Sequence, residues 1–147
     1  MRTAVVATMI NKTEEKMKLY TSYFANAKAL AKANVMMIGI ALYPPRWYQG
    51  PSLKEVAPTY SILKMTSSDE EYTRRYKAEI LARMNITDFI NQVQRLANGR
   101  DVALCCYEKP EEFCHRQLLA EHLRANGVQI EEFVAKEPVH ELSLFDT

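Results

Sequence analysis

Two uninterrupted apolar runs, Val35-Met-Met-Ile-Gly-Ile-Ala-Leu42 and Asp101-Val-Ala-Leu-Cys-Cys-Tyr107, constrain the fold more than any other feature. Neither alternates polar with apolar, so a strand made from either must be covered on both faces. Strands of that kind belong to parallel sheets with helices above and below, which requires helical segments between them. Lys18-Leu-Tyr-Thr-Ser-Tyr-Phe24 reads as a strand by its aromatic and β-favouring residues, and residues 25–33, rich in Ala, Lys and Leu, read as a helix leading into the first apolar run. The first unit is therefore expected to be βαβ with parallel strands and a right-handed connection.

The remaining chain fits the same pattern. Pro44-Pro45-Arg46-Trp47-Tyr48-Gln49-Gly50 must leave the sheet as a loop, because proline removes a ladder donor and fixes φ. Residues 51–66 show no clean period, and one helical turn is expected near Ser52 to Val56. Ser67 or Ser68 before Asp69-Glu70-Glu71 is a helix start, with the helix predicted to about Met84. Thr87 and Asp88 open a second helix to about Asn98, closed by Gly99. Residues 115–125 form a third, with Leu118, Leu119, His122 and Leu123 at core spacing and Asn126-Gly127 as its stop. Val128 to Phe133 alternates apolar and acidic and predicts a last strand near an edge. The fold class is α/β, a single three-layer sandwich with a mainly parallel sheet of Rossmann-like or flavodoxin-like type. Residues 17–134 form the domain, 1–16 an N-terminal extension and 135–147 a tail.

Length and composition narrow the functional classes. At 147 residues the chain is of one-domain size and can bury roughly two thirds of its unfolded surface. A net charge of +1 removes any global attraction to nucleic acid or anionic membrane, so anion binding must be local. Residues 3–10 are apolar but too short to span a bilayer, and no membrane partner is expected. Three cysteines crowded into residues 105–114 are not a secreted disulfide framework, which points to a reducing cytoplasm.

In sheets of this class ligands collect beyond the C-terminal strand ends. Three loops should meet there: residues 21–26, which include Ser22 and Tyr23; residues 44–50, which include Arg46, Trp47 and Tyr48; and residues 107–116. The last carries the chemistry. Cys114 falls at the N-cap of the helix beginning at His115, where free N–H groups and the helix dipole favour a thiolate or a bound phosphate, and Arg116 would reinforce either. His115 can move a proton near neutral pH, and Glu108 should point to the same side as Cys106. Cys114, His115 and Glu108 are thus candidate catalytic residues. Cys106, Arg116, Ser22, Tyr23, Arg46, Trp47, Tyr48 and Tyr76 are candidate ligand contacts, with the aromatic ones as stacking surfaces.

Other readings of the same residues stay open. A Cys/Cys/His metal site lacks standard ligand spacing and an evident fourth ligand, so no metal and no cofactor is expected. A Cys106 to Cys114 disulfide is possible if the turn folds back. Cys105 is expected to be a small buried strand residue. Tyr72 and Tyr76, four apart on one helix face, fit core packing as well as stacking.

Cys106-Tyr-Glu-Lys-Pro-x-x-Phe-Cys-His-Arg116, followed by Leu-Leu-Ala-Glu-His-Leu, resembles the signature of the bacterial, archaeal and phage domain-of-unknown-function family numbered 488. Tyr20-Thr-Ser-Tyr-Phe24, Pro45-Arg-Trp47, Leu53 to Pro58 and Glu71-Tyr-Thr-Arg-Arg-Tyr76 extend the resemblance over most of residues 17–133. It implies a compact α/β domain with a pocket around these residues and supplies no reaction. The function expected is an enzyme-like domain binding an anionic ligand, a nucleotide or phosphorylated compound, at the Cys-His-Arg helix start. The alternatives are a non-catalytic nucleic-acid or nucleotide-binding module and a purely structural role for the motif.

Overall fold

The computed structural model describes residues 17–109 and 112–135; the expected extension at 1–16 and nearly all of the expected tail lie outside them. Four strands form one sheet in the order β2-β3-β1-β4, and every pairing is parallel. They are β1 (Leu19–Tyr23), β2 (Val35–Gly39), β3 (Asp101–Cys106) and β4 (Glu131–Glu132). Among the described residues five α-helices accompany them: α1 (Ala27–Lys32), α2 (Tyr60–Met65), α3 (Asp69–Glu79), α4 (Ile86–Ala97) and α5 (His115–Ala125). The α/β sandwich expected from the two apolar runs is the observed architecture.

β3 occupies the middle of the sheet, and after Asp101 all its residues are buried. Its alternation divides the core. Val102, Leu104 and Cys106 face a large cluster with Ile38, Phe89, Val93, Leu119 and Leu123, whereas Ala103 and Cys105 face a smaller one with Phe24, Leu30 and Val35. The smaller cluster packs under α1 and the larger under α3 to α5. A strand with helices on both sides has no solvent face, which is why its sequence does not alternate.

Local chemistry sets the element ends. β2 stops at Gly39 because the following loop folds back on it: Gly39 N donates to Pro51 O at 2.9 Å and Leu53 N donates to Gly39 O at 2.8 Å. A Cβ on Gly39 would sit 3.0 Å from Ser52 Oγ and 3.2 Å from the Phe24 ring, so the close approach favours glycine. Ser68 caps α3 through Glu71 N, as expected, but that helix ends at Glu79 and a 3-10 turn at Leu81–Arg83 replaces its predicted last turns. α4 begins one residue before the expected Thr87, because the side chain of Asn85 accepts from Asp88 N at 2.9 Å and serves as the cap. Its C-cap is Asn98, held at φ 48°, one residue before Gly99. The predicted final strand is only Glu131–Glu132, which pairs with Tyr20 and Thr21 of β1. α2 lies in the stretch expected to be irregular.

Candidate functional site

The site forms where β3 ends and α5 begins. Cys106 is the last residue of β3 and Cys114 is the N-cap of α5, in extended conformation with φ −160° and ψ 148°. A side chain at an N-cap points back over the first helical turn, and Cys114 Sγ accepts from Arg116 N at 3.5 Å. The sulfurs of Cys106 and Cys114 are paired directly, with Cα atoms 7.5 Å apart. The Glu108 carboxylate belongs to the same group: one donor atom each from Cys106, Glu108 and Cys114 lies within 4.8 Å of the others.

His115 is buried, and its ring is fixed from both sides. Nε2 lies 2.7 Å from the Ile40 carbonyl, and a carbonyl can only accept, so Nε2 carries the hydrogen. Nδ1 is then the lone-pair nitrogen, and it faces Cys114 Sγ at 3.8 Å. Burial pushes the imidazole pKa down to about 4, against the raising effect of the Ile40 carbonyl and with a smaller lowering push from the Arg116 charge. The ring is therefore neutral at pH 7. Tyr76 packs edge-on against it with centroids 5.5 Å apart.

Arg116 has no exposed surface, and its guanidinium is engaged inside the protein. Nε and Nη2 make a two-pronged bond to Glu132 of β4, at 3.1 and 3.0 Å. Nη1 donates to Cys106 Sγ at 2.9 Å and also to the Glu108 carbonyl. Thr21 Oγ1 donates to Glu132 Oε1 at 2.7 Å, and the guanidinium carbon lies 5.7 Å from the Tyr23 ring centroid. This cation ties β1, β3, β4 and α5 together and places a positive charge against the Cys106 sulfur.

A pocket of about 410 Å³ opens beside the pair. Cys106, Glu108, Cys114 and His115 line one part of it; Tyr43, Tyr72, Tyr107 and Phe113 supply aromatic walls; and Leu63 and Lys64 come from α2. Tyr72 and Phe113 meet edge to face at 5.1 Å. Burial, followed by the Glu108 charge, raises the Tyr72 phenol above its ordinary value, so it stays protonated.

The other expected contacts stand elsewhere. Ser22 pairs in register with Cys105, so it shares the α1 face of the sheet and lies on the opposite side from Cys106, where it accepts from Asn26 Nδ2 at 3.1 Å. Tyr48 is occupied by structure: its hydroxyl lies 2.6 Å from Pro51 O and 3.0 Å from Met37 O, and burial raises its pKa to about 12. Trp47 is exposed and leans edge-on against Phe24, with exposed Arg46 beside it; neither lines the pocket. Tyr76 is buried and donates to Val56 O at 2.6 Å, beneath the pocket and not on its wall. Cys105 is buried as expected, and burial lifts its thiol to about 12.

Several participants were not identified from the sequence. Glu132 carried a signal, an acid in an alternating strand whose neighbour Glu131 takes the solvent side. Thr59 after Pro58 is a capping signal for α2, and Thr59 Oγ1 accepts from Ile62 N at 3.2 Å. The Ile40 carbonyl left no sequence signal, because a backbone oxygen has no residue identity.

Fold and site together define a small parallel α/β domain with a directly paired cysteine couple and a neutral imidazole at a strand-end pocket. A family model described as "DUF488-N3a: Active DUF488-N3 subclade" matches residues 10–127, and the chain belongs to that family. No curated protein and no solved structure matches the chain. Among the described residues no helix is long and apolar enough to cross a membrane.

Proposed function

We propose that the protein is a thiol enzyme acting on a small anionic ligand, nucleotide-like in having a flat ring and a negative group. The observation that carries this reading is the lone pair of His115 Nδ1 directed at Cys114 Sγ, with the tautomer fixed by the Ile40 carbonyl. In the reduced protein His115 takes the Cys114 proton, and the thiolate forms a bond to an electrophilic carbon of the ligand. The bond from that carbon to its leaving group breaks, and the imidazolium returns the proton to the departing atom. Water then cleaves the S–C bond and restores the thiol. The N-cap position of Cys114 and the N–H of Arg116 stabilise the sulfur anion during attack.

The pocket walls support the ligand class. Tyr43, Tyr72, Tyr107 and Phe113 suit a flat ring, and Lys64 together with the positive end of α5 suits a negative group. Arg116 contributes indirectly, because its donors hold Glu132, Cys106 and the Glu108 carbonyl. The Cys114-His115-Arg116 sequence thus divides into a nucleophile, a base and a positioning residue. The word "active" in the description of the matching subclade accords with an enzyme.

Alkylation of the reduced protein tests the dyad. With iodoacetamide at pH 7, Cys114 should modify at least ten-fold faster than an ordinary thiol, whose pKa is about 8.5. His115→Gln should remove that advantage while Cys105 stays unlabelled as a check on folding. Ordinary reactivity of Cys114, or an unchanged rate in His115→Gln, overturns the proposal. Cys114→Ser separates an enzyme from a binding module: an enzyme loses turnover and keeps its affinity for ligand, whereas a module has no turnover to lose.

A further inference from the structure

We infer that Cys106, Glu108 and Cys114 form a binding site for a thiophilic divalent cation of the zinc type. The three donors come from a strand end, the turn after it and a helix N-cap, and they lie within 4.8 Å of one another. Two sulfurs and a carboxylate oxygen form a set suited to zinc or cobalt; magnesium and calcium prefer oxygen alone.

The groups behind the donors are those a metal site uses. Arg116 donates to both sulfurs, through Nη1 to Cys106 and through its backbone N–H to Cys114, which favours thiolates over thiols. His115 presents Nδ1 toward Cys114 Sγ while its Nε2–H is anchored on the Ile40 carbonyl. Metal-ligating histidines are oriented by such a carbonyl on the second nitrogen. His115 is therefore placed beside the donor set, where Nδ1 can accept a proton from a metal-bound water. Cys106, Glu108, Cys114 and His115 all line the pocket, so the cation has a route from solvent.

The site shares Cys114 with the thiol reading and does not depend on it. A cation on the sulfur and attack by that sulfur exclude each other, so the metal would restrain the thiol chemistry.

The full chain, reduced with a phosphine and freed of metal, is titrated with cobalt(II) and then with zinc(II). One equivalent of cobalt should bind with thiolate-to-metal charge-transfer absorption, and zinc should displace it. Cys106→Ser and Cys114→Ser should each lose the absorption, and Glu108→Gln should bind at least ten-fold more weakly. In the unsubstituted chain zinc should slow alkylation of Cys106 and Cys114 at least ten-fold and magnesium should not, a readout that needs no variant to fold. Absence of charge-transfer absorption, its survival in Cys114→Ser, unchanged affinity in Glu108→Gln, or alkylation indifferent to zinc overturns the site. If cobalt binds as expected but metal-free Cys114 alkylates at an ordinary rate, the cation site stands and the thiol-enzyme reading falls; the reverse pair of results removes the site alone.

Discussion

Arg116 shows how a residue can be prominent in a motif while acting at one remove from a ligand. An arginine at a helix start reads as an anion receptor, yet this one has no exposed surface and a bidentate partner in Glu132. Its planar fork serves a carboxylate, a thiol and a carbonyl at once, a geometry lysine cannot copy. Removing one member of a buried pair leaves the other without compensation. Arg116→Ala should therefore lower stability by about 3 kcal/mol, the low end of the buried-pair range because Glu132 is partly exposed. Urea unfolding checks this, and Arg116→Lys should recover only part of the loss. The cysteines divide just as clearly: Cys105, on the α1 face, is structural, while Cys106, one residue later on the other face, reaches the site. A strand's period of two makes neighbours chemically unequal.

At the scale of elements, capping decides where the walls of the pocket stand. α2 is only six residues long and too short to persist by propensity, so its start depends on Thr59. Thr59→Ala should cost about 1 kcal/mol. The loss should appear locally, as faster amide exchange across Tyr60–Met65 with little change in β3, and it should loosen the wall that carries Leu63 and Lys64. α5 was legible to the residue, because Cys114 precedes a clean core spacing and Asn126-Gly127 follows it. α2 was obscured by flanking prolines and by a length below two turns, too few residues for a period to emerge. β4 is shorter than its alternation predicts: alternation marks residues that could pair, and only Glu131 and Glu132 do so.

The whole molecule places the site by stacking elements far apart in sequence. Tyr76 of α3 donates its buried hydroxyl to Val56 O twenty residues earlier and packs its ring on His115, so it joins the long crossing after β2 to the imidazole. Tyr76→Phe keeps the ring and strands the Val56 carbonyl, which should cost about 1 to 3 kcal/mol. Thermal unfolding measures the loss, and the alkylation rate of Cys114 should change little because the ring contact with His115 remains. The three loops expected to converge did so only in part. The segment after β3 and the start of the loop after β2 reach one pocket through Cys106, Glu108, Cys114, His115 and Tyr43, whereas Trp47 and Tyr48 pack with Phe24 away from it.

The sequence alone determined the architecture and the address of the site. Two apolar runs can be satisfied only by a sheet covered on both faces, and a thiol, an imidazole and a guanidinium at the end of one of them mark a strand-end turn. Tertiary structure decided which groups meet. The Ile40 carbonyl that selects the His115 tautomer, the Glu132 carboxylate that occupies Arg116, and the return of Cys114 to Cys106 all join residues that lie on different elements. Periodicity records which face a side chain presents. It does not record what the facing element brings, because that depends on how elements pack.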